Sequence, residues 1–229
     1  MYKRQWVCLV GCESSVLLFD QYINKYAFTN GDVKIIYEGK SIFEILSETY
    51  VTDFNIFDRA ISQDNLDMFQ IVQFPLAGQA IVMTYNLPEL VNSSYRLVID
   101  RETLGKIWYG AISKWNDTAI QNLNPTVGHL LPDTDIILGY SDDYIMTISG
   151  LIKMALSSFS PEFDTELKYA NNTFNGMNPT KNGRGHNIGE TSTVRLEWLK
   201  KTSYGLTYIN YADVYNNGCL LYTSPSPRD

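Results

Sequence analysis

The chain has 229 residues, 45% apolar and 19% charged, with a formal charge of −7. That balance belongs to a packed globular chain and excludes a disordered or collagen-like one. The acidic excess, with no basic cluster, argues against a nucleic-acid partner, and the length allows one large domain or two small ones.

Both ends read as foreign to the protein. Cys219 to Asp229, Cys-Leu-Leu-Tyr-Thr-Ser-Pro-Ser-Pro-Arg-Asp, matches the translation of a transposase sequencing adapter. The adapter's reverse complement encodes Val-Tyr-Lys-Arg-Gln, which becomes Met1 to Gln5 when GTG is taken as a start codon. Residues 1–5 and 219–229 are therefore set aside. Losing Lys3, Arg4 and Arg228 against Asp229 moves the charge from −7 to −9. Met1 then says nothing about a leader or an anchor. Cys8 and Cys12 remain, spaced Cys-x3-Cys in an apolar stretch without a neighbouring His or Cys group, and read as core thiols rather than metal ligands.

In chain order, Trp6 to Val10 is an apolar run of strand length, followed by the loop Gly11 to Ser15. Val16 to Tyr26 reads as an amphipathic helix capped by Ser14 or Ser15. A second strand, Val33 to Tyr37, leads through the loop Gly39 to Ser41 to a helix over Ile42 to Glu48, and Phe54 to Asp58 is a third strand. Strand, loop and helix repeat in the manner of an α/β sheet whose ligand loops lie at the carboxyl ends of its strands. Ile71 to Phe74 and Ala80 to Tyr85 are further strand-like runs, after which Asn86-Leu-Pro88 leaves the first lobe.

The second lobe opens with a strand over Leu97 to Asp100. A helix follows from near Arg101 to Gly110, with Leu104, Ile107 and Trp108 at helical spacing. Trp115-Asn116-Asp117-Thr118 breaks the pattern before a turn of helix, Ala119 to Leu123, that Asn124-Pro125 ends. Ile136 to Gly139 is a strand, Tyr140 to Tyr144 a loop, and Ile145 to Phe159 a helix closed by Ser160-Pro161. Lys181 to Asn187 is a Gly-punctuated loop, Ile188 to Lys200 a helix, and Tyr204 to Tyr211 a strand that returns to the first lobe. The expected division is lobe one over 6–85, lobe two over 86–203, and a return to lobe one over 204–218.

Ile107-Trp-Tyr-Gly-Ala-Ile-Ser-Lys-Trp-Asn-Asp-Thr-Ala-Ile120, with Leu123-Asn-Pro125 after it, closely resembles the segment "IF.GKI..WNDPAI..LNPG" of the phosphate-binding proteins of ABC transporters. Other stretches match that family in the same order. Val33 to Gly39 resembles "V..NYQG", Thr52 to Asp58 resembles "VDFGASD", and Gln73-Phe-Pro with Ala80 to Pro88 resembles "PVVAGAVVPIYNLP". Gly183 to Asn187, then Tyr204 to Asp213, resembles "GN … GAIGYVEYAYA". The resemblance implies an α/β, two-lobe periplasmic-binding-protein-like fold of type II with its first lobe incomplete. It also implies a periplasmic or extracellular setting and a small-molecule ligand, such as an oxyanion, held in the cleft between lobes without a cofactor. Lobe closure would signal to a membrane transporter or to an attached receptor module.

In that family, hydroxyls, helix N-termini, one Arg and one Asp hold the anion. By position, the resemblance puts the Asp at Asp58, the first-loop pair at Glu13 and Ser14, and the serine of the second loop at Ser41. The second-lobe motif "R.DGSGT" falls on Tyr140 to Met146, so Tyr140 replaces the Arg, Asp142 keeps the Asp, and Tyr144 replaces the Ser. These substitutions remove the fixed cation and leave carboxylates facing the anion, which argues against phosphate itself. Lys40, Arg59 or Arg184 would restore a charge if turned inward, and Tyr140 and Tyr144 would suit a less charged ligand. The other reading is an interaction or sensory ectodomain of a larger receptor that binds no ligand.

No enzyme motif emerges: His129 and His186 have no nucleophile at a recognisable spacing, and Asp142-Asp143 lacks further metal ligands. Asn92-Ser-Ser, Asn116-Asp-Thr and Asn171-Asn-Thr fit the glycosylation pattern, which would suit an extracellular domain.

Overall fold

A computed structural model describes residues 5–12, 16–40, 44–45, 54–57, 60–78, 80–91, 95–142, 148–189 and 191–217. The chain forms two compact units, Met1–Ala77 and Gly78–Asp229. In the first, strands β1 (Gln5–Cys12), β2 (Val33–Lys40) and β3 (Phe54–Ile56) form a parallel sheet in the order β2-β1-β3. Helix α1 (Val16–Thr29) connects β1 to β2 and stacks Phe19 on Tyr37, ring centroids 5.2 Å apart. Burial alternates along β2, with Val33, Ile35 and Tyr37 half-buried and Lys34, Ile36 and Glu38 exposed, as a sheet covered on one face requires. Gly11 sits where a Cβ would meet the Tyr37 hydroxyl and come within 2.8 Å of Ile56 Cβ, so the turn out of β1 leaves no room for a side chain. Cys8 lies on the exposed side of β1, so it is not the core thiol that its apolar neighbours suggest.

Helix α2 (Gln63–Phe69) ends on Gln70 in the left-handed region. The segment expected to be a strand at Ile71 to Phe74 is irregular. Val72 is 91% exposed and Phe74 is exposed too, and this apolar run pairs with no strand among the described residues.

The second unit holds β4 (Ile81–Tyr85), β5 (Ile137–Tyr140), β6 (Gly185–Asn187) and β7 (Gly205–Asn210) in the order β4-β7-β5-β6. β4 runs antiparallel to β7, and β7, β5 and β6 are parallel. Both stretches assigned above to the first lobe, 80–85 and 204–211, are thus strands of the second sheet. β7 is buried at every position because it lies between β4 and β5. The division falls at 77/78 rather than 85/86.

Helix α3 (Arg101–Tyr109) has the expected bounds. The Asp100 side chain accepts from Thr103 N at 2.7 Å at its start, and Gly110 ends it at φ 94°. Asp117 caps α4 (Thr118–Leu123), accepting from Ala119 N at 2.9 Å. Leu97 to Asp100 pairs with no strand among the described residues. The Asn124 side chain takes the neighbouring strand's place, accepting from Val98 N and donating to Val98 O, both at 2.7 Å. Trp108, Ile112 and Trp115 enter the main core, and Trp115 Nε1 donates to Tyr204 O at 3.0 Å.

Beyond β5 come α5 (Ile148–Phe159) and α6 (Pro161–Tyr169), where Ser160 ends one helix and caps the next through Phe163 N. The short α7 (Asn178–Lys181) ends where the segment read as loop begins, and β6 lies within that segment. α8 (Ser192–Lys201) starts on a Thr191 cap, and α9 (Tyr211–Asn217) packs Val214 against Leu196 and Ile209.

Candidate functional site

Of the site residues that the sequence suggests, Glu13, Ser14, Ser41, Asp58 and Tyr144 lie outside the described residues, as does Arg59. Tyr140 and Asp142 are described, and both are turned toward the segment 172–180. Tyr140 is 2% exposed, its ring 5.3 Å from that of Phe174. Its hydroxyl donates to Asn175 Oδ1 at 2.6 Å and accepts from Thr180 Oγ1 at 3.2 Å. Burial pushes the phenol above its ordinary pKa, and the nearby Asp142 carboxylate pushes the same way. The space beside the ring, bounded also by Trp108, Phe174 and Met177, is about 10 Å³, the size of one water.

Asp142 acts as a clamp. Its two carboxylate oxygens accept from Phe174 N and Asn175 N, each at 2.6 Å, and Lys153 Nζ stands 3.1 Å away. The Lys153 ammonium also lies 4.9 Å from the Phe174 ring centroid and donates to Asn172 O at 3.1 Å. The exit of β5 is thereby tied to the turn after α6, and both carboxylate oxygens are engaged.

Two of the cations considered as replacements, Lys40 and Arg184, are described, and each has a partner elsewhere. Lys40 pairs with Glu38 in the first unit at 3.5 Å. Arg184 precedes β6, so it lies at the amino end of the parallel pair β5-β6, whereas ligands of such sheets gather at the carboxyl ends. It is buried, donates to Ile136 O at 3.5 Å, and is held below the ordinary guanidinium pKa by desolvation.

A guanidinium does stand at the carboxyl end of β5, and it comes from α8. Arg195 is 1% exposed. Its Nη2 donates to Ser141 Oγ at 2.6 Å and to Ser149 Oγ and the Tyr208 hydroxyl at 3.4 Å each, while Nη1 reaches Thr207 Oγ1 at 3.4 Å. Its carbon lies 4.1 Å from the Tyr208 ring centroid, which fixes the plane of the fork. The oxygens are linked to one another: Ser141 to Ser149 at 2.6 Å and Ser149 to Tyr208 at 2.5 Å, with Ser141 N donating to the Tyr208 hydroxyl at 3.3 Å. Thr207 completes the shell by donating to Gly139 O at 2.7 Å. Four elements therefore build the site: the exit of β5, the first turn of α5, one turn of α8 and the middle of β7.

Sequence reading missed Arg195 because it weighed only charges near the family motif. The signal was there: Arg195 lies next to Leu196 and four residues before Leu199, the other two buried residues of α8, and a cation on the apolar stripe of a helix calls for buried polar partners.

No family model matches the chain. Over 208 residues, 91% of this chain, it is 50% identical to a protein carrying the provisional name serine/threonine-protein kinase/receptor R831, from Acanthamoeba polyphaga mimivirus, and it spans 13% of that protein. Over 202 residues, 84% of this chain, it is 31% identical to the phosphate-binding protein PstS of Methanocaldococcus jannaschii, of which it spans 50%. Among solved structures it matches a protein provisionally named a phosphate ABC transporter substrate-binding protein, with bound phosphate, from Clostridium perfringens. The TM-score is 0.59 at 10% identity, over 96% of this chain and 76% of that one, a likeness that speaks for the fold. The chain is thus PstS-like in sequence over about half the length of the archaeal relative, and periplasmic-binding-protein-like in fold.

Proposed function

We propose that the chain is an extracytoplasmic solute-binding domain that takes up a small ligand at the carboxyl end of β5. The observation that carries this reading is the polar cluster of Arg195, Ser141, Ser149, Thr207 and Tyr208. A charged side chain and four hydroxyls are buried together at the end of a parallel strand, where α/β sheets place their ligands. Packing alone favours apolar residues at such positions, because burying a guanidinium costs several kcal/mol before its hydrogen bonds offset it. The resemblance to PstS proteins supports a small solute. The viral relative's name and its far greater length support a setting in which the domain is the sensor of a larger receptor, with binding transmitted to another module rather than to a transporter.

The test is calorimetric titration of the purified chain with inorganic phosphate, sulfate, amino acids and sugars. Saturable binding of one solute class at about one per chain is expected. No heat and no thermal stabilisation with any of them would favour the interaction ectodomain that binds no ligand.

A further inference from the structure

Among the described residues two asparagines head an Asn-x-Thr sequence, and the fold treats them differently. Asn116 is half-buried beside Trp115, which is 0% exposed. Asn171 is exposed, in the turn that leaves α6, and its side chain makes no hydrogen bond among the described residues. A glycan is bulky and hydrophilic, so a folded chain can carry one only where the asparagine faces water. The turn is fixed by its backbone. Asn171 N donates to Lys168 O at 3.1 Å, Asn172 N to Leu167 O at 2.9 Å and Thr173 N to Ala170 O at 3.1 Å. Asn171 and Asn172 stand at φ 54° and 60°, a left-handed backbone that asparagine accepts more readily than most residues.

A second observation comes from the residue two positions earlier. Tyr169 is 83% exposed, and its ring meets no other aromatic or cationic group among the described residues. Two residues span at most about 7 Å between Cα atoms, so that ring lies within reach of a sugar attached to Asn171. The C–H face of a pyranose, positive at its hydrogens, packs on the negative face of an aromatic ring and removes apolar surface from water.

We propose that Asn171 carries an N-linked glycan whose first sugar rests on the Tyr169 ring. The proposal rests on the extracytoplasmic part of the reading above, because an exported chain is the one that meets the co-substrate, a lipid diphosphate-linked oligosaccharide. A bond forms between Asn171 Nδ2 and C1 of the first sugar while the bond from C1 to the diphosphate oxygen breaks. The lipid diphosphate leaves with that electron pair, the amide gives one proton to a base of the transferase, and nothing is oxidised or reduced. In the folded turn the Thr173 hydroxyl donates to Ala170 O at 2.8 Å and accepts from Gly176 N at 3.2 Å. Transfer therefore precedes folding, while this hydroxyl is still open to the transferase. The turn also offers Asn172 O to Lys153, so a sugar that steadies it steadies the clamp on Asp142.

The experiment expresses the 229-residue chain behind a cleavable export leader in a eukaryotic cell line and maps its peptides by mass spectrometry before and after peptide N-glycosidase. Asn171 is expected to be occupied, and Asn171→Gly, which suits the left-handed backbone, should lose that glycan. Removing the glycan should lower the Tm of the wild type by about 2–4 °C, and Tyr169→Ala should keep the glycan but lose most of that difference. An unmodified Asn171 in the secreted wild type would overturn the proposal, whether or not the chain binds a solute in the titration above. An occupied Asn171 in a chain that binds no solute would remove the solute reading and leave the glycan standing. A Tm difference that Tyr169→Ala leaves whole would overturn the stacking. If a variant is not secreted, cell-free translation with microsomal membranes decides, since it needs no folding: Asn171→Gly must lose one mobility step relative to wild type, and an unchanged ladder overturns the proposal.

Discussion

Replacing Asp142 separates its role as a clamp from the ligand role that its motif suggests. Asp142→Ala strips the acceptors from Phe174 N and Asn175 N and leaves Lys153 without its carboxylate. The side chains of the ion pair are only 12% and 9% exposed, so solvent screening is slight, and breaking a pair of this kind costs about 3–5 kcal/mol. Asn175 N is exposed and water can satisfy it, which argues for the lower end of that range. Asp142→Asn keeps one carbonyl oxygen for one of the two amides and should cost about half as much. Denaturant unfolding followed by tryptophan fluorescence is a suitable assay, because one of the four tryptophans, Trp108, has its ring 5.2 Å from that of Phe174. Native-state hydrogen exchange adds a local readout, with the Phe174 amide losing protection in both variants. A destabilisation below about 1 kcal/mol, with Phe174 protection unchanged, would refute the clamp.

Other substitutions test separate parts of the structure. Asn124→Leu leaves Val98 N and Val98 O without their partner and should cost about 2–4 kcal/mol in denaturant unfolding, whereas a neutral result would show that another group serves the extended segment. Tyr140 has its pKa raised by burial, so the folded state keeps its proton where the unfolded state has lost it. The resulting stability is intact below pH ~10 and is lost as pH rises through the folded value. Tyr140→Phe should therefore flatten part of the alkaline decline in stability. It should also cost about 1 kcal/mol at neutral pH through the lost bond to Asn175. Arg184→Met should change stability by less than about 1 kcal/mol, because a desolvated guanidinium with one long bond gains little. It should leave ligand affinity untouched.

Much of the scaffold was legible in the sequence because local signals agreed with the fold. Asp100 and Gly110 mark the two ends of α3 in the residue types that caps require, and Trp108, Ile112 and Trp115 announce the core they fill. The failures have physical causes of their own. Leu97 to Asp100 reads as a strand because Leu97 and Ile99 are buried, yet its ladder partner is one side chain 26 residues away, which no local pattern reveals. Ile71 to Phe74 has strand composition yet pairs with no strand among the described residues. Assigning β4 and β7 to the first lobe followed chain order, whereas their place is set by the pairing of β7 with β5. At the candidate site, the family motif led to Tyr140 and Asp142, whose contacts with Phe174 and Asn175 lie more than 30 residues on. Arg195 was passed over because its partners, Ser141, Ser149, Thr207 and Tyr208, come from three other elements that only the folded chain brings together.

The central claim is that the buried cluster at the carboxyl end of β5 is the solute site of this PstS-like domain. Calorimetric titration of the wild-type chain with inorganic phosphate, sulfate, amino acids and sugars tests it most directly. The account predicts saturable binding of one solute class at about one per chain. No heat from any of them would contradict it.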